Sequence, residues 1–361
     1  MSVKQNPNLF RLALCSWITL GAIGCGGGDG AGSNSPSASP TRNTLGLHVG
    51  EASDGDFNGA LAIAKAAGVQ VVHLSLDWSG LETSPGVFNP TIPDIAEAYY
   101  PTSGVKLALA IRPINTNQKE VPADLDTTDF DDPTMITRFK AFLDWLFSRI
   151  PNVPLHNFIV GNEVGAYLST TQDWEEWTAF YIAARDHIKL THPALMVSCT
   201  GMFGSLTGIP QAEFQAMNMH TDFISVTYYP LTPDFIVHAP SAPVADFALL
   251  ASLYPGRPIY IQECGYPASP TCNSSEEKQR QFVAYTYATW DIHANQIKHL
   301  SFFMQHDYTA QEVADFVAYY GFTDPAFAAF LATLGMRYTT GSGIDKPAWP
   351  EFSQGAAARG F

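Results

Sequence analysis

The sequence predicts an α/β fold, a single (β/α)8 TIM barrel over residues 44–361. Three features predict it. Eight short apolar runs alternate with amphipathic stretches of helical period. The runs are nearly continuous in apolar residues, as parallel strands covered by helices require. The first run leads into Gly50-Glu51-Ala52-Ser53-Asp54-Gly55, which lacks the GxGxxG cradle of the competing architecture, a doubly wound open sheet.

The chain ahead of the barrel reads as an address. Lys4 and Arg11 precede an apolar run, Leu12 to Gly24, that ends at Cys25. A positive start, a short apolar middle and small residues at the end make a secretion signal over residues 1–24. The run is too short for a membrane-spanning helix. Leu20-Gly21-Ala22-Ile23-Gly24-Cys25 resembles a bacterial lipobox, in which Cys25 becomes the lipidated N-terminus; an ordinary signal cut nearby is the alternative. Residues 25–43, rich in Gly and Ser, form a flexible tether. The expected location is outside the cytoplasm, lipid-anchored to the cell envelope at the outer membrane or cell surface.

With 46% hydrophobic and 15% charged residues, the chain builds a large core and is not a disordered polymer. Loss of residues 1–24 removes Lys4 and Arg11 and no acid, leaving 17 basic against 34 acidic residues, a net charge of −17. Such a surface repels nucleic acid, and the only membrane contact expected is the lipid anchor. Three cysteines remain in the barrel. Cys264 and Cys272 flank a Pro-rich loop and are candidates for a disulfide, leaving Cys199 a buried thiol. No Cys/His spacing marks a metal site, and neither cofactor nor metal is expected; the protein is expected to be a monomer.

The strand-like runs are Leu45–Val49, Val69–Leu76, Val105–Ile111, Phe158–Val160, Met196–Cys199, Phe223–Thr227, Pro258–Ile261 and His299–Met304. Between them, Asp132-Pro133 supplies an N-cap and a first-turn proline before Ile136, Phe139, Leu143, Leu146 and Ile150. Asp173 with Glu176, and Ser274 with Glu277, read as capping boxes opening two further helices. Trp174 and Trp177 share a helical face and are read as core.

Two runs end in acid. The fourth closes as Val160-Gly161-Asn162-Glu163 and the seventh as Ile261-Gln262-Glu263-Cys264-Gly265. Strand C-termini form the active face of a barrel. Either carboxylate alone could be a loop hydrogen-bonder. Together, facing one cleft, they are the equipment for cleaving a glycosidic bond.

These segments resemble clan A glycoside hydrolases over the whole barrel. Gly161-Asn162-Glu163-Val164 resembles the acid/base segment of family 17 and family 53 enzymes, and Glu263-Cys264-Gly265-Tyr266-Pro267 their nucleophile turn. Ser225-Val226-Thr227-Tyr228-Tyr229-Pro230 is similar to the family 53 strand-six motif. Asp77-Trp78-Ser79-Gly80-Leu81-Glu82 resembles a strand-two loop of the clan, and Lys346-Pro347-Ala348-Trp349 its C-terminal motif. The clan's strand-eight Trp is replaced by Phe303-Met304-Gln305-His306-Asp307, and strand two lacks the family 53 Arg-x-Arg.

The resemblance implies a retaining β-glycosidase acting on an extracellular poly- or oligosaccharide, with Glu163 as acid/base and Glu263 as nucleophile, their carboxyls about 5–5.5 Å apart. It implies that Asn162 binds the sugar 2-hydroxyl and that Tyr228 or Tyr229, with Tyr229 favoured, donates to Glu263. Arg112, at the end of strand three, is a candidate charge beneath the nucleophile. Trp78 is a candidate sugar-stacking wall, with barrel packing the alternative; His306, Gln305 and His48 are candidate hydroxyl binders. Glu82 is read as a loop hydrogen-bonder. Two further readings use the same residues: a catalytically silent glycan-binding barrel, and a transglycosylase. A metal-dependent hydrolase is disfavoured, because no clustered ligands mark the strand ends.

Overall fold

A computed structural model describes residues 43–361. The signal segment, Cys25 and all of the tether except Asn43 lie outside the described residues.

The barrel strands are β1 (Thr44–Leu47), β2 (Val71–Asp77), β3 (Lys106–Asn115), β4 (Leu155–Asn162), β5 in two pieces (Val197–Ser198 and Thr200–Met202), β6 (Ile224–Tyr228), β7 (Ile259–Cys264) and β8 (Ile297–Phe302). Every contact between adjacent barrel strands is parallel. The order runs β4-β3-β2-β1-β8-β7-β6, and β5 closes the ring: its first piece pairs β4 and its second pairs β6. All eight apolar runs of the sequence are strands, and the fold is the (β/α)8 barrel that their spacing predicts.

Helices α1 (Phe57–Ala66), α2 (Thr91–Ser103), α3 (Pro133–Arg149), α4 (Thr171–Thr191), α5 (Gln211–Asn218), α6 (Pro243–Leu253) and α7 (Glu276–His293) follow the first seven strands in turn. After β8 comes an insertion with α8 (Ala310–Tyr320) and α9 (Pro325–Leu331), before the closing helix α10 (Ala348–Ala358). No helix among the described residues is long and apolar enough to cross a membrane.

Asp132 caps α3 as its sequence indicates, accepting from Thr134 N at 2.6 Å. Two other caps differ from expectation. The box on α4 is Thr170 with Asp173, because extended backbone at Thr170 frees its hydroxyl to accept from Asp173 N. Helix α7 is capped by Ser275, which accepts from Lys278 N, while Ser274 is buried. In each case the side chain immediately before the first helical turn is the one within reach of the free N–H groups.

Strand alternation divides the core. Leu45, Leu47, Leu74, Leu76, Leu300 and Phe302 face the helices in one continuous apolar layer, which includes Trp174 and Trp177. The barrel lumen has a small apolar cluster of Ala110, Ile159 and Phe223. Branched aliphatics usually fill that space. Here His73, His299, Thr200, Ser225 and Gln262 are buried or half-buried on the remaining inward positions, so polar groups line the interior even at the strand starts, where His299 bonds Thr44.

Candidate active site

The turn after β4 presents Glu163. Gly161 has φ +82°, and a Cβ there would meet the Trp177 ring at 2.6 Å, so the position needs glycine. Glu163 itself is left-handed at φ +50°, a conformation that costs a non-glycine residue energy and is often retained where a side chain must be aimed. Its carboxylate accepts from Thr227 Oγ1 at 2.6 Å and from Thr116 Oγ1 at 2.8 Å.

Glu263 leaves β7 at an irregularity in register, where Val226 pairs Ile261 but Thr227 pairs Glu263. The Tyr229 hydroxyl donates to Glu263 Oε2 at 2.6 Å. Gly265 makes room for that ring, since a Cβ there would stand 2.6 Å from Tyr229 Cε1. Thus the end of β6 reaches both acids, Thr227 holding Glu163 and Tyr229 holding Glu263.

The two carboxylates sense each other. Burial pushes the Glu263 carboxyl up to about 7, and the charge of Glu163 adds to the rise; the Tyr229 bond and Arg112 pull the other way. Burial also raises Glu163, opposed by the two threonine bonds. The sequence offers Arg112 as a charge beneath Glu263, and that cation is present. In the structure both side chains are half-buried and desolvation raises both, so the pair retains a proton close to neutrality and titrates as a unit.

Arg112 pairs with its strand neighbour Asp77, Nε to Oδ1 at 2.8 Å, and its positive charge acts on Glu263. Asn162 Nδ2 approaches Asn115 Oδ1 at 3.4 Å. Asn115 in turn donates to the Tyr319 hydroxyl, which donates to Glu120. His48 stacks on His73 with centroids 4.3 Å apart and planes 19° apart. One nitrogen of each ring and a Glu263 oxygen lie within 4.8 Å of one another. Burial lowers both imidazoles, His73 to about 3, so both are neutral. Near-parallel rings aim their in-plane lone pairs along separate planes, and Arg112 adds positive charge; this is a poor cradle for a cation.

Several sequence candidates are corrected. Trp78 is fully buried between Phe139 and Phe142 and donates to Glu82 at 2.8 Å; it is core, not a sugar wall. Glu82 holds that Trp, the Gly86 N–H and Arg138, as a loop hydrogen-bonder would. Tyr228 points outward to Asp246 at 2.6 Å, because alternation gives the inward direction to Tyr229. Gln305 is buried against α1, donating to Ala60 O at 2.9 Å, and His306 binds Gly50 O at 2.8 Å; neither reaches the carboxylates. Cys264 and Cys272 are free buried thiols, as is Cys199. Cys272 donates instead to Ala326 O, and Cys264 faces the helix layer, so the expected disulfide is absent.

Sequence reasoning missed four groups. Thr116 and Thr227 bind Glu163, and their motifs gave no sign of it. Tyr308 and Tyr320 come from the insertion and lie in the field of the acids, Tyr320 beside Thr116. An aromatic-rich segment after strand eight was the available signal.

No family model and no curated protein matches the chain. Solved structures do match. A GH5_18 from Streptomyces cattleya in complex with GlcNAc aligns at TM-score 0.70 and 15% identity, over 89% of this chain and 81% of that one. The exo-beta-1,4-mannosidase Op5Man5 from Opitutaceae bacterium strain TAV5 aligns at 0.66 and 14%, over 88% and 59%. A family 39 glycoside hydrolase from Bacteroides cellulosilyticus WH2 aligns at 0.58 and 14%, over 87% and 64%. These likenesses carry the barrel fold, which the chain shares with glycoside hydrolases. The first is a GH5_18 and the third a family 39 enzyme, and the narrower resemblance to families 17 and 53 finds no support in them.

Proposed function

We propose that the protein is a retaining β-glycosidase that cleaves an extracellular poly- or oligosaccharide, with Glu263 as nucleophile and Glu163 as acid/base. The observation that carries this reading is the pair of half-buried carboxylates held by one strand end, Thr227 on Glu163 and Tyr229 on Glu263. The fold shared with glycosidases is consistent with it.

In the first step a Glu263 oxygen attacks the anomeric carbon, forming a C–O bond as the bond to the leaving oxygen breaks. The proton on Glu163 passes to that oxygen. In the second step water attacks the same carbon, its proton goes to Glu163, and Glu263 leaves as carboxylate. Arg112 and the Tyr229 hydroxyl favour ionised Glu263. Asn162, beside Glu163 on the rim, takes the 2-hydroxyl. His48, next to Glu263, offers a neutral imidazole to a neighbouring hydroxyl. No resident cofactor or metal takes part. The mature chain is an anchored, monomeric envelope enzyme, lipidated at Cys25.

The test is a panel of aryl β-glycosides and glycans with wild type, Glu163→Ala and Glu263→Ala. Expected are a β-configured first product, abolished turnover in Glu263→Ala, and azide rescue of Glu163→Ala to a β-glycosyl azide. Wild type that binds glycans without turnover indicates the silent barrel instead. Transfer to an added acceptor sugar, outrunning hydrolysis, indicates the transglycosylase.

A further inference from the structure

The insertion between β8 and α10 crosses the barrel mouth. It leaves β8 beside Glu263, where Tyr308 feels that carboxylate. Helix α8 then spans to the rim of β3. There Asn115 donates to the Tyr319 hydroxyl at 3.0 Å, Asn117 to Tyr320 O at 3.2 Å and Gln118 to Tyr319 O at 3.4 Å. The Tyr319 hydroxyl continues to Glu120 at 2.7 Å.

From this anchorage the aromatic side chains form a wall. Tyr319 meets Tyr320 at 4.8 Å, Tyr320 meets Phe322 at 6.4 Å, and Phe322 meets Phe235 of the β6 loop at 6.0 Å. Phe330 of α9 joins Phe235 to Tyr229, the partner of Glu263. The wall therefore runs from the β3 rim, where Tyr319 is anchored, to Phe235 on the β6 rim. Among the described residues, no hydrogen bond or ring contact joins the insertion to the loops after β4 and β5, residues 164–170 and 203–210.

The acid/base fixes which way a substrate lies. The leaving oxygen must come within reach of Glu163, at the end of β4, so the leaving group extends over the uncovered β4–β5 side. Whatever is attached to the other hydroxyls of the reacting ring extends the opposite way, into the wall. We propose that the insertion caps the glycone side of the site, so that the enzyme removes single sugars from the non-reducing end and does not cut internal bonds. This rests on the glycosidase reading above.

The test uses the full chain with cello-, manno-, galacto- and laminaritetraose, labelled at the reducing end. Each is used unmodified and with its terminal non-reducing sugar blocked as a 4,6-benzylidene acetal. Monosaccharide and labelled trisaccharide as the first products, with the blocked form cleaved about a hundredfold more slowly, are expected. Early disaccharide, or equal rates on both forms, overturns the cap while leaving the glycosidase reading standing. No cleavage of any form, or of aryl glycosides, overturns both. Tyr320→Ala and Phe322→Ala thin the wall, and Phe322 is 40% exposed, which makes its variant safe for folding. Each should raise the blocked-to-unblocked rate ratio about tenfold or more; a ratio unchanged in both variants overturns the assignment of the wall.

Discussion

The Tyr229 hydroxyl donates to Glu263 at 2.6 Å, and the ring carrying it fits only because residue 265 has no side chain. Burial and the adjacent carboxylate hold the phenol well above its ordinary range, so it remains a donor throughout the working pH. A hydrogen bond to a charged acceptor is worth about 1.5–3 kcal/mol. Tyr229→Phe should therefore lower kcat by about 10- to 100-fold with little change in KM, since the bond matters most when Glu263 leaves as carboxylate. An unaltered kcat in a folded Tyr229→Phe protein would show that this tyrosine only packs.

The raised carboxylates tie stability to pH. Both Glu163 and Glu263 are held above the ordinary carboxylate range, Glu263 at about 7. A group whose pKa is higher in the folded protein stabilises it most below its unfolded value, and that contribution disappears as pH rises through the folded value. Thermal stability should fall between about pH 4.5 and 7, with Glu263 contributing on the order of 3 kcal/mol to the change. Glu263→Gln keeps the shape and removes the titration, so its stability should vary less over the same range. A slope identical to wild type would assign the dependence to other groups. Activity should be bell-shaped in pH, with limbs that belong to the pair rather than to either acid.

The barrel and its two acids were legible because both follow from local pattern. An apolar strand that stops at Glu is the signal, as from Phe158 to Glu163 and from Ile259 to Glu263. The supporting residues were less visible, since their roles depend on which strands meet in space. Thr116 follows β3 and Thr227 lies on β6, and only the closed sheet brings both to Glu163. Trp78 follows a strand end, as a sugar-stacking residue would, yet α3 covers it with Phe139 and Phe142. Gln305 and His306 replace the clan's Trp in sequence, but the chain has already turned there toward α1 and Gly50.

The three barrel cysteines carry a prediction of their own. Burial pushes the Cys272 thiol up to about 11 and Cys264 higher still, so neither is a ready thiolate. A native disulfide usually stabilises by about 2–4 kcal/mol. Here dithiothreitol should leave the unfolding midpoint unchanged, and alkylation of the denatured, unreduced protein should modify Cys264 and Cys272 alike. A bridged peptide containing both residues would contradict the structure.

Lys346 and Asp307 form a buried ion pair at 2.6 Å, with the lysine 2% and the aspartate 9% exposed. Lys346 also donates to Gly335 O at 2.8 Å, while Asp307 accepts from Gly335 N at 2.9 Å. The pair thus pins the return of the insertion to its departure point from β8, which gives the Lys-Pro-Ala-Trp segment its structural role. Lys346→Met leaves Asp307 buried without its cation, at a cost of about 3–5 kcal/mol. Adding Asp307→Leu removes the stranded charge and should recover most of that loss, because a packed apolar pair replaces a desolvated ionic one at little net cost. Denaturant unfolding of the single and double variants measures both terms. A single variant within about 1 kcal/mol of wild type would place the anchorage of the insertion in the aromatic contacts of α9 instead.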